Sequence, residues 1–498
     1  MNRLIDTGLE APSPATPAQV TLALQSILPM HCVLSRPEDT RPYECDGLSL
    51  YRALPIAVVL PETEAQVQSV LRVCKSLSVP VVARGAGTGL SGGAMPHAQG
   101  VVLGLAKFNR IRRIDPGAAI AVVEPGVRNL AVSEAVSPYG LYYAPDPSSQ
   151  IACTIGGNVA ENSGGVHCLK YGLTVHNVLK VRMLTMDGDI VELGSLAPDS
   201  PGPDLLSVFV GSEGMLGVVT EVTLRLTPKP ALATVIMASF DDVEKASDAV
   251  AGVIAAGIIP AGLEMMDRQA TRMVEPFVKA GYDTSAAAIL LCESDGTVEE
   301  VAEEIQRMEA VFSKAGATRL QVSGSEAERL LFWAGRKNAF PAAGRVSPDY
   351  YCMDGTIPRR HVGRVLRAIQ DMEVRFGLRC ANVFHAGDGN LHPLIMFDSN
   401  VPDEVERAEA FGAAILELSV EVGGTITGEH GVGIEKINQM CVQFNREELD
   451  MFLAVKRAFD PACLLNPEKV IPTLARCAEY GKMHVHQGAI AFPELPRF

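Results

Sequence analysis

Hydrophobic and polar positions alternate along this chain with two different periods. Residues 61–77 would place their apolar side chains on one face of a helix, and Thr63 and Gln66 have the spacing of a capping box. Residues 79–83 (VPVVA) are typical of a short strand, and a run of glycines follows. Residues 216–226 carry apolar side chains at alternating positions, which predicts a strand with one buried face.

The pattern changes at Pro228 and Pro230, where we place a domain boundary. The second predicted helix beyond it has a Thr297/Glu300 capping box and ends at Gly316. Alternating strands and helices predict a second, α+β domain. The predicted strands are 233–240 and 286–294, and the predicted helices are 241–257 and 297–316.

Composition and charge point to a globular protein without a nucleic-acid partner. The 498 residues are 47% hydrophobic and 20% charged, with a formal net charge of −15. Phosphate binding needs a basic face, and an anionic substrate would need a local cation here. The N-terminus has no basic start before an apolar core, and the uncharged, largely apolar run at 249–263 is too short to span a bilayer. We therefore expect no secretory signal and no transmembrane segment.

The eleven cysteines are scattered and include no C-x-x-C pair. An odd, unpatterned set in a long chain predicts reduced thiols and a cytoplasmic protein. The sequence also shows no ligand set for an iron–sulfur cluster.

Residues 84–93 (RGAGTGLSGG) contain the pattern G-x-G-x-x-G after a predicted strand. The dinucleotide-binding form of this motif needs a helix immediately afterwards, and Pro96 and Gly100 disfavour one. Closely spaced glycines can instead let successive backbone N–H groups converge on a diphosphate, with Arg84 adding charge. For this segment alone, a flexible loop is an equal alternative.

Two further segments, residues 144–165 and 211–219, are rich in glycine and other small residues. Such residues permit close backbone approach to a flat ligand. Hydroxyl and amide groups in the same segments can hydrogen-bond the ribityl chain and the ring edge of a flavin. Three such segments within one domain predict a large, extended cofactor.

Residues 383–393 (VFHAGDGNLHP) set His385 and His392 on either side of Gly-Asp-Gly-Asn. The glycines disfavour a helix, and on one unbroken strand an odd separation would point the rings to opposite faces. Only a turn would bring both rings together, and G-D-G-N is strong turn chemistry. Taken alone, the stretch favours a polar turn over a metal site.

A second polar stretch, residues 425–433 (TITGEHGVG), offers the missing carboxylate. Adjacent side chains in an extended chain diverge, so we assign Glu429 to a metal ion and His430 to a catalytic base. Two imidazoles and one carboxylate suit a divalent ion with open positions, and zinc, manganese and ferrous iron are all candidates. The alternative is that Glu429 and His430 are surface polar residues.

The cation for an anionic substrate could be Arg336, on a predicted helix beside the only tryptophan, Trp333. Its guanidinium can bind a carboxylate with two hydrogen bonds. Lys337 and Arg345 are competing candidates, and a surface arginine is the alternative. The HVH sequence at 484–486 has metal-ligand spacing, but it lies in a terminal tail without a nearby carboxylate, so we assign it no site.

Together these motifs resemble a known family. V-x-x-R-G-x-G-T-x-L-x-G, from Val81 to Gly92, resembles the first FAD-binding signature of the vanillyl-alcohol oxidase (PCMH-type) flavoprotein superfamily. The order H-x-G-D-G-N-x-H, G-E-H-G-x-G, L-L-N-P-x-K is similar to that of the FAD-linked 2-hydroxy-acid dehydrogenases, which act on D-lactate, D-2-hydroxyglutarate or glycolate. Longer stretches, PYECDGLS (42–49) and GRKNAFPAAGR (335–345), favour the glycolate-oxidising members.

The resemblance implies an α+β fold with four segments. FAD would be bound non-covalently, since no histidine falls where covalent members of the family attach it. The segments are an N-terminal segment (1–50), a PCMH-type FAD-binding domain (51–229), an α+β, ferredoxin-like substrate or cap domain (230–420), and a C-terminal segment (421–498) that returns to the flavin.

The resemblance also implies the roles of individual residues. The metal would be bound by His385, His392 and Glu429. His430 would act as the base, and Arg336 would hold the substrate carboxylate. The implied FAD-binding residues are Arg84, Gly85, Ala86, Gly87, Thr88, Gly89, Ser91, Gly92, Pro145, Asp146, Ser148, Thr154, Gly156, Gly157, Asn158, Asn162, Gly164, Gly165, Glu213, Gly217, Val218 and Asn466.

The implied reaction is oxidation of glycolate to glyoxylate by hydride transfer to FAD, with D-lactate as the alternative substrate. Cys352 lies near the position where the hydroxyglutarate enzymes carry a cation for the distal carboxylate, which favours a short monocarboxylate. Glu468 stands where the family commonly has glycine, so the loop geometry near Asn466 is in question.

The electrons would pass to an acceptor other than oxygen. The resemblance implies a complex with an iron–sulfur subunit and a second, shorter flavin subunit. The protein would be cytoplasmic and attached to the inner membrane face through these partners.

Overall fold

The computed structural model describes residues 15–197 and 202–472, and the backbone of a short antiparallel pair, Val485–His486 and Ala489–Ile490. Residues 1–14 of the predicted N-terminal segment, the side chains of the HVH sequence, and the rest of the predicted C-terminal segment beyond 472 lie outside the described residues. No helix in the described part of the chain is long and apolar enough to cross a membrane.

The first part of the chain builds a mixed sheet of four strands. They are β1 (Val33–Leu34), β2 (Ala57–Val59), β3 (Val81–Arg84) and β4 (Val101–Gly104). The order is β1-β2-β4-β3, and β2, β4 and β3 run parallel. A core containing Val59, Val81 and Leu103 lies between this sheet and the helices that precede and follow β2.

The described residues of the first part contain eight α-helices, and one of them corresponds to the helix predicted at 61–77. Thr63 caps the helix predicted at 61–77 by accepting the backbone N–H of Gln66. The Gln66 side chain accepts from the N–H of Glu62 instead of Thr63, so the predicted capping box is incomplete. The helices are α1 (Pro17–Ile27), α2 (Pro37–Thr40), α3 (Glu64–Ser76), α4 (Asn129–Val136), α5 (Ile155–Glu161), α6 (Cys168–Tyr171), α7 (Thr174–Asn177) and α8 (Leu205–Phe209).

A second, antiparallel sheet follows. Its strands, with one additional pair, are β5 (Ile111–Asp115), β6 (Ile120–Val123), β7 (Leu141–Tyr142), β8 (Val178–Leu184), β9 (Ile190–Gly194), β10 (Val218–Arg225) and β11 (Thr227–Pro228). The order is β5-β6-β10-β8-β9, and β11 pairs with β7. The prediction of one buried face for β10 is wrong. This central strand contributes Val218 to one core and Val222 to another, and Thr220 and Thr223 are buried as well.

Beyond Pro230 the chain forms one seven-stranded antiparallel sheet in the order β15-β12-β14-β13-β17-β18-β16. Along β12, Ile236 faces one core and Val235 and Met237 face the other, as the strand period requires. The strands are β12 (Leu232–Phe240), β13 (Gly262–Asp267), β14 (Ala288–Gly296), β15 (Arg319–Val322), β16 (Asp349–Cys352), β17 (Arg379–His385) and β18 (Asn390–Phe397).

Helices cover both faces of this sheet. On one face lie α9 (Val243–Ala255), α11 (Val298–Lys314), α14 (Val362–Phe376) and α15 (Glu404–Glu421). On the other lie α10 (Arg268–Val278), α12 (Glu326–Lys337) and α13 (Ala339–Val346). We call this sheet with its helices the cap domain. The predicted helix at 297–316 matches α11, whose Thr297/Glu300 capping box is present.

After α16 (Met440–Gln443) and α17 (Arg446–Phe459), the chain returns to the first sheet. The N–H of Val81 donates to the carbonyl of Leu464, and the N–H of Asn466 donates to the carbonyl of Val81, both at 2.8 Å. Lys456 Nζ donates to the carbonyl of Met215 at 2.7 Å. The C-terminal residues up to 472 thus brace β3, the strand before the first glycine-rich loop. The exact domain limits stay a prediction.

Cysteine chemistry departs from the sequence prediction at one position. Among the described residues, nine cysteines carry free thiols, whereas Cys441 is disulfide-bonded. The prediction of reduced thiols is therefore wrong for Cys441.

Candidate active site

A cavity of about 490 Å³ lies between the glycine-rich loops of the first part and the cap domain. Glu429 and His430 are part of its wall, and the cap domain adds Lys337, Phe340 and Tyr350. The predicted FAD-binding residues that line it are Arg84, Gly85, Ala86, Gly87, Thr88, Gly89, Ser148, Thr154, Gly156, Gly157, Asn158, Glu213 and Gly217.

The lining fits the cofactor that the sequence predicts. A side chain at Gly85 would overlap Thr154, and Gly87 has φ +71°, so both positions favour glycine. Thr154 Oγ1 is buried and has no hydrogen-bond partner among the described residues. Arg84 is held beside the loop by donating from Nη1 to the carbonyl of Cys45 at 2.6 Å. A buried hydroxyl and a fixed cation suit the polar groups of FAD.

The two histidines around the G-D-G-N sequence come together on a β-hairpin. β17 ends at His385, β18 begins at Asn390, and Gly389 in the turn has φ +85°. His392 pairs with Val383, two residues before His385, so both imidazoles share one face. Their ring centroids lie 5.0 Å apart. The predicted turn forms, and it brings both rings together.

Glu429 completes a group of three donors. Its Oε1 lies 3.2 Å from His385 Nε2 and 3.0 Å from His392 Nε2. All three side chains are at most 10% exposed, and their donor atoms lie within 4.8 Å of one another. Two imidazoles and one carboxylate around one point fit a divalent cation with open positions. We call this set the donor group.

Glu264 anchors the donor group from behind. Its two oxygens accept from His385 Nδ1 at 2.7 Å and from Arg336 Nε at 2.6 Å. A carboxylate on the far ring nitrogen orients Nε2 towards the other two donors, an arrangement that is usual at histidine-ligated metals. Burial lowers the pKa of His385, but the charges of Glu264 and Glu429 outweigh burial and raise this pKa well above its ordinary value. The negative charges of Glu264 and Glu429, which favour a proton on His385, would also favour a metal cation at the donor group.

His430 lies beside the donor group and forms part of the cavity wall. Its ring stacks on that of His392 with centroids 4.9 Å apart, and its Nε2 is 4.0 Å from Glu429 Oε1. Its Nδ1 has no hydrogen-bond partner among the described residues. Burial lowers the pKa of His430 to about 4. The ring is therefore neutral near pH 7 and can accept a proton.

The three candidate cations occupy different positions. Arg336 on α12 is buried against Glu264, is 4% exposed and does not line the cavity. Lys337 lines the cavity. Arg345 lies over the ring of Phe277 at 4.5 Å and does not line the cavity. The geometry leaves Arg336, next to the donor group, and Lys337, in the cavity wall.

Two family models match the chain. One, described as an FAD binding domain, matches residues 55–194, and the other, described as FAD linked oxidases, C-terminal domain, matches residues 229–470. The chain is also 62% identical over 479 residues to the glycolate oxidase subunit GlcD of Escherichia coli (strain K12), covering 96% of each chain. The chain belongs to the FAD-linked oxidases. Its resemblance to the flavin subunit of glycolate oxidase is confirmed, and FAD is the cofactor of this family.

More distant relatives agree with this placement. The chain is 40% identical to GlcD of Bacillus subtilis (strain 168), covering 87% of this chain and 93% of the relative. It is 30% identical to the mitochondrial D-lactate dehydrogenase (cytochrome) of Arabidopsis thaliana, covering 84% and 74%.

Solved structures with low sequence identity share the fold. p-Cresol methylhydroxylase with substrate bound has a TM-score of 0.73 at 18% identity, covering 90% of this chain and 96% of that one. 4-Ethylphenol oxidase from Gulosibacter chungangensis has a TM-score of 0.76 at 18% identity, covering 91% and 96%. The predicted PCMH-type α+β fold is confirmed.

The remaining predicted FAD-binding residues lie outside the cavity lining, and several hold its loops. Asn466 Nδ2 donates to the carbonyls of Gly93 at 3.0 Å and Glu213 at 2.6 Å. Asn162 ends α5 with φ +54°. Glu468 has φ +63°, a conformation in which glycine is unstrained. The residues outside the lining are Ser91, Gly92, Pro145, Asp146, Asn162, Gly164, Gly165, Val218 and Asn466.

Sequence reasoning missed two buried carboxylates that organise the site. Asp354 accepts hydrogen bonds from the Thr427 hydroxyl and from the backbone N–H groups of residues 428–430, and so fixes the loop that carries Glu429 and His430. Glu264 could have been found from the sequence, because a carboxylate in the middle of the largely apolar strand β13 must find partners when buried. Asp354 had none, because its contacts are all distant in sequence.

Proposed function

We propose that this chain is the catalytic flavin subunit of a glycolate oxidase (glycolate dehydrogenase) and oxidises glycolate to glyoxylate. The observation that carries the proposal is the position of the donor group, which meets His430 at the wall of the FAD cavity. The 62% identity to a glycolate oxidase subunit over nearly the whole chain supports the substrate.

Two bound groups supply chemistry that side chains lack. His385, His392 and Glu429 would hold a divalent ion, either zinc, manganese or ferrous iron. Such an ion, when bound, lowers the pKa of a coordinated hydroxyl. FAD, bound non-covalently, would supply the acceptor for the hydride. The protein's task is to place the substrate between these two groups.

His430 would take the hydroxyl proton. Its neutral ring lies in the cavity wall, next to Glu429 and stacked on His392. Asp354 accepts the His430 backbone N–H at 2.9 Å and thereby fixes the position from which the ring projects. Because His430 and the substrate hydroxyl would both be held in fixed positions, the proton transfer would avoid the entropy cost of bringing the two groups together.

Replacing Arg336 with glutamine is expected to raise KM for glycolate about 10–100-fold, because a charged hydrogen bond to the carboxylate is lost. Lys337→Gln is expected to raise KM only about 2–5-fold, because an exposed amine is screened by water. Steady-state kinetics measure both, with Arg345→Gln as a control that leaves KM unchanged. A larger effect of Lys337→Gln would transfer the carboxylate-binding role to Lys337.

Reduced FAD must pass its electrons on. We infer an acceptor other than oxygen, reached through an iron–sulfur subunit and a second, shorter flavin subunit. The relatives at 62% and 40% identity are named as a subunit of glycolate oxidase, which supports a multi-subunit assembly. The same partners would attach a cytoplasmic protein to the inner membrane face.

Steady-state kinetics with glycolate, D-lactate and L-lactate test this function, using a quinone analogue as acceptor for the isolated chain and for the complex. We expect the highest kcat/KM with glycolate and faster quinone reduction by the complex. A higher kcat/KM with D-lactate would favour the alternative, a D-lactate dehydrogenase, which the more distant relatives suggest. Equal quinone reduction by the isolated chain would remove the need for partners.

A further inference from the structure

A partly buried cluster of charges joins the first part of the chain to the cap domain. His167 Nδ1 lies 2.8 Å from Asp146 Oδ2, and its Nε2 lies 3.2 Å from Glu293 Oε1. The other Glu293 oxygen accepts from Arg329 Nη1 at 2.7 Å and from Trp333 Nε1 at 2.6 Å. Asp146 and His167 come from the FAD-binding part, and the other three residues come from the cap domain.

The geometry requires a positive charge on His167. Both ring nitrogens face carboxylate oxygens, and a neutral imidazole has only one N–H to donate. Burial lowers the pKa of His167, but the charges and hydrogen bonds of Asp146 and Glu293 outweigh burial and raise it to about 10. Burial raises the pKa of Glu293, but its hydrogen bond to His167 and the charges of His167 and Arg329 bring it down to about 2. Negative and positive charges therefore alternate across the domain contact, in the order Asp146, His167, Glu293 and Arg329.

Both ends of the cluster lead to the active site. Asp146 is two residues from Ser148, which lines the FAD cavity. Arg329 and Trp333 are on α12, four residues apart, and Arg336 follows three residues later. Residues spaced by four and three lie on one helix face. The face of α12 that contacts the cluster is therefore the face that carries Arg336.

Strands β13 and β14 lie beneath α12, and one glutamate from each of them, Glu264 and Glu293, bonds to this face of the helix. Glu293 on β14 pairs with Gly262 on β13, and Glu264 lies two residues further along β13. Side chains two residues apart on a strand point to the same face, so both carboxylates meet α12. A side chain at Gly262 would press on Val166 and Trp333, because the segment before His167 packs closely there.

We propose that Asp146, His167, Glu293 and Arg329 form a positioning clamp that sets α12, with Arg336 and Lys337, over the FAD cavity. The inference deepens the proposed function and rests on it. His167 does not line the cavity and acts only through α12. Within this cluster its ring connects the two domains, because it contacts one carboxylate from each.

His167→Gln removes the central charge and keeps a side chain that can hydrogen-bond. We expect KM for glycolate to rise at least about tenfold, since small displacements of binding groups have large effects on turnover. FAD and metal contents should stay at wild-type levels. The emission maximum of Trp333, the only tryptophan of the chain, should shift in the FAD-loaded protein, because its indole N–H contacts the disturbed Glu293.

His31→Gln is the matched control, because His31 also contacts a glutamate, Glu62, at 3.2 Å, but its side chain is 65% exposed. It should leave both KM and emission unchanged. Asp146→Asn, which removes the charge on the FAD side, should shift KM and emission in the same direction and carries the test if His167→Gln does not fold.

Wild-type KM in folded His167→Gln or Asp146→Asn would overturn the clamp, even if the emission shifts. Unchanged emission in both variants would also overturn it. If the wild-type protein does not oxidise glycolate, the proposed function fails instead. The Trp333 emission needs no substrate, so it would still show whether the cluster holds α12.

Discussion

Replacing His430 with alanine is expected to slow the reduction of bound FAD by glycolate about 10²–10⁴-fold, while FAD and metal stay bound. Alanine has no group that can take the hydroxyl proton. His385 and His392 cannot replace His430, because their Nε2 atoms face Glu429 and neither residue lines the cavity. Rapid mixing with glycolate under anaerobic conditions, followed at the flavin absorption band, measures this rate.

His176→Ala is a suitable control for this variant, because His176 is an exposed histidine of α7. It should reduce its flavin at the wild-type rate. FAD and metal contents are determined in the same samples, so that loss of either group is not mistaken for loss of the base. Flavin reduction at the wild-type rate in His430→Ala would show that another group takes the proton.

Removing one member of the donor group is expected to strip the metal and lower turnover by more than about 10³-fold, because a bound ion contributes several kcal/mol of transition-state stabilisation. Glu429→Gln is the sharpest variant, since it keeps the size of the side chain and removes the anionic ligand. His392→Ala should act in the same way. FAD should remain bound in both, because the glycine-rich loops are untouched.

Metal analysis of the purified variants, alongside their flavin spectra, measures this effect. Glu447→Gln is a matched control, because it removes an exposed carboxylate from α17, a helix that carries no member of the donor group. It should keep wild-type metal content and turnover. If metal content were unchanged in both Glu429→Gln and His392→Ala, the VFHAGDGNLHP stretch would be a polar turn after all.

Features set by neighbouring residues could be predicted from the sequence. α11 begins at its Thr297/Glu300 capping box, and Gly316 follows its end with φ +87°. The hairpin turn between His385 and Asn390 formed for a similar reason, because its glycines and polar residues lie within a few positions. Local chemistry decides such elements before any tertiary contact is made.

Contacts between distant segments could not be predicted. Asp354 fixes residues that are 74 to 76 positions away, and Glu264 reaches His385 across 121 positions. The buried faces of β10 depend on two cores that the strand pattern alone does not reveal. The motifs therefore indicated which residues meet, but only the fold shows which carboxylates hold them in place.

Family motifs also combine two kinds of residue. Thr154 and Gly157 line the cavity, whereas Asn466 holds the loops around it through hydrogen bonds to Gly93 and Glu213. Sequence position does not separate the two kinds, since residues 144–165 contain both Thr154, which lines the cavity, and Asn162, which does not. Their separation depends on which atoms face the cavity.

Anaerobic addition of glycolate to the FAD-loaded chain, with metal analysis of the same sample, tests whether the chain oxidises glycolate with both FAD and a metal. We expect complete bleaching of the flavin band by glycolate, weaker bleaching by D-lactate, and about one divalent ion per chain. A flavin band that glycolate leaves unchanged in the metal-loaded protein would contradict this expectation, as would full bleaching of a sample that contains no metal.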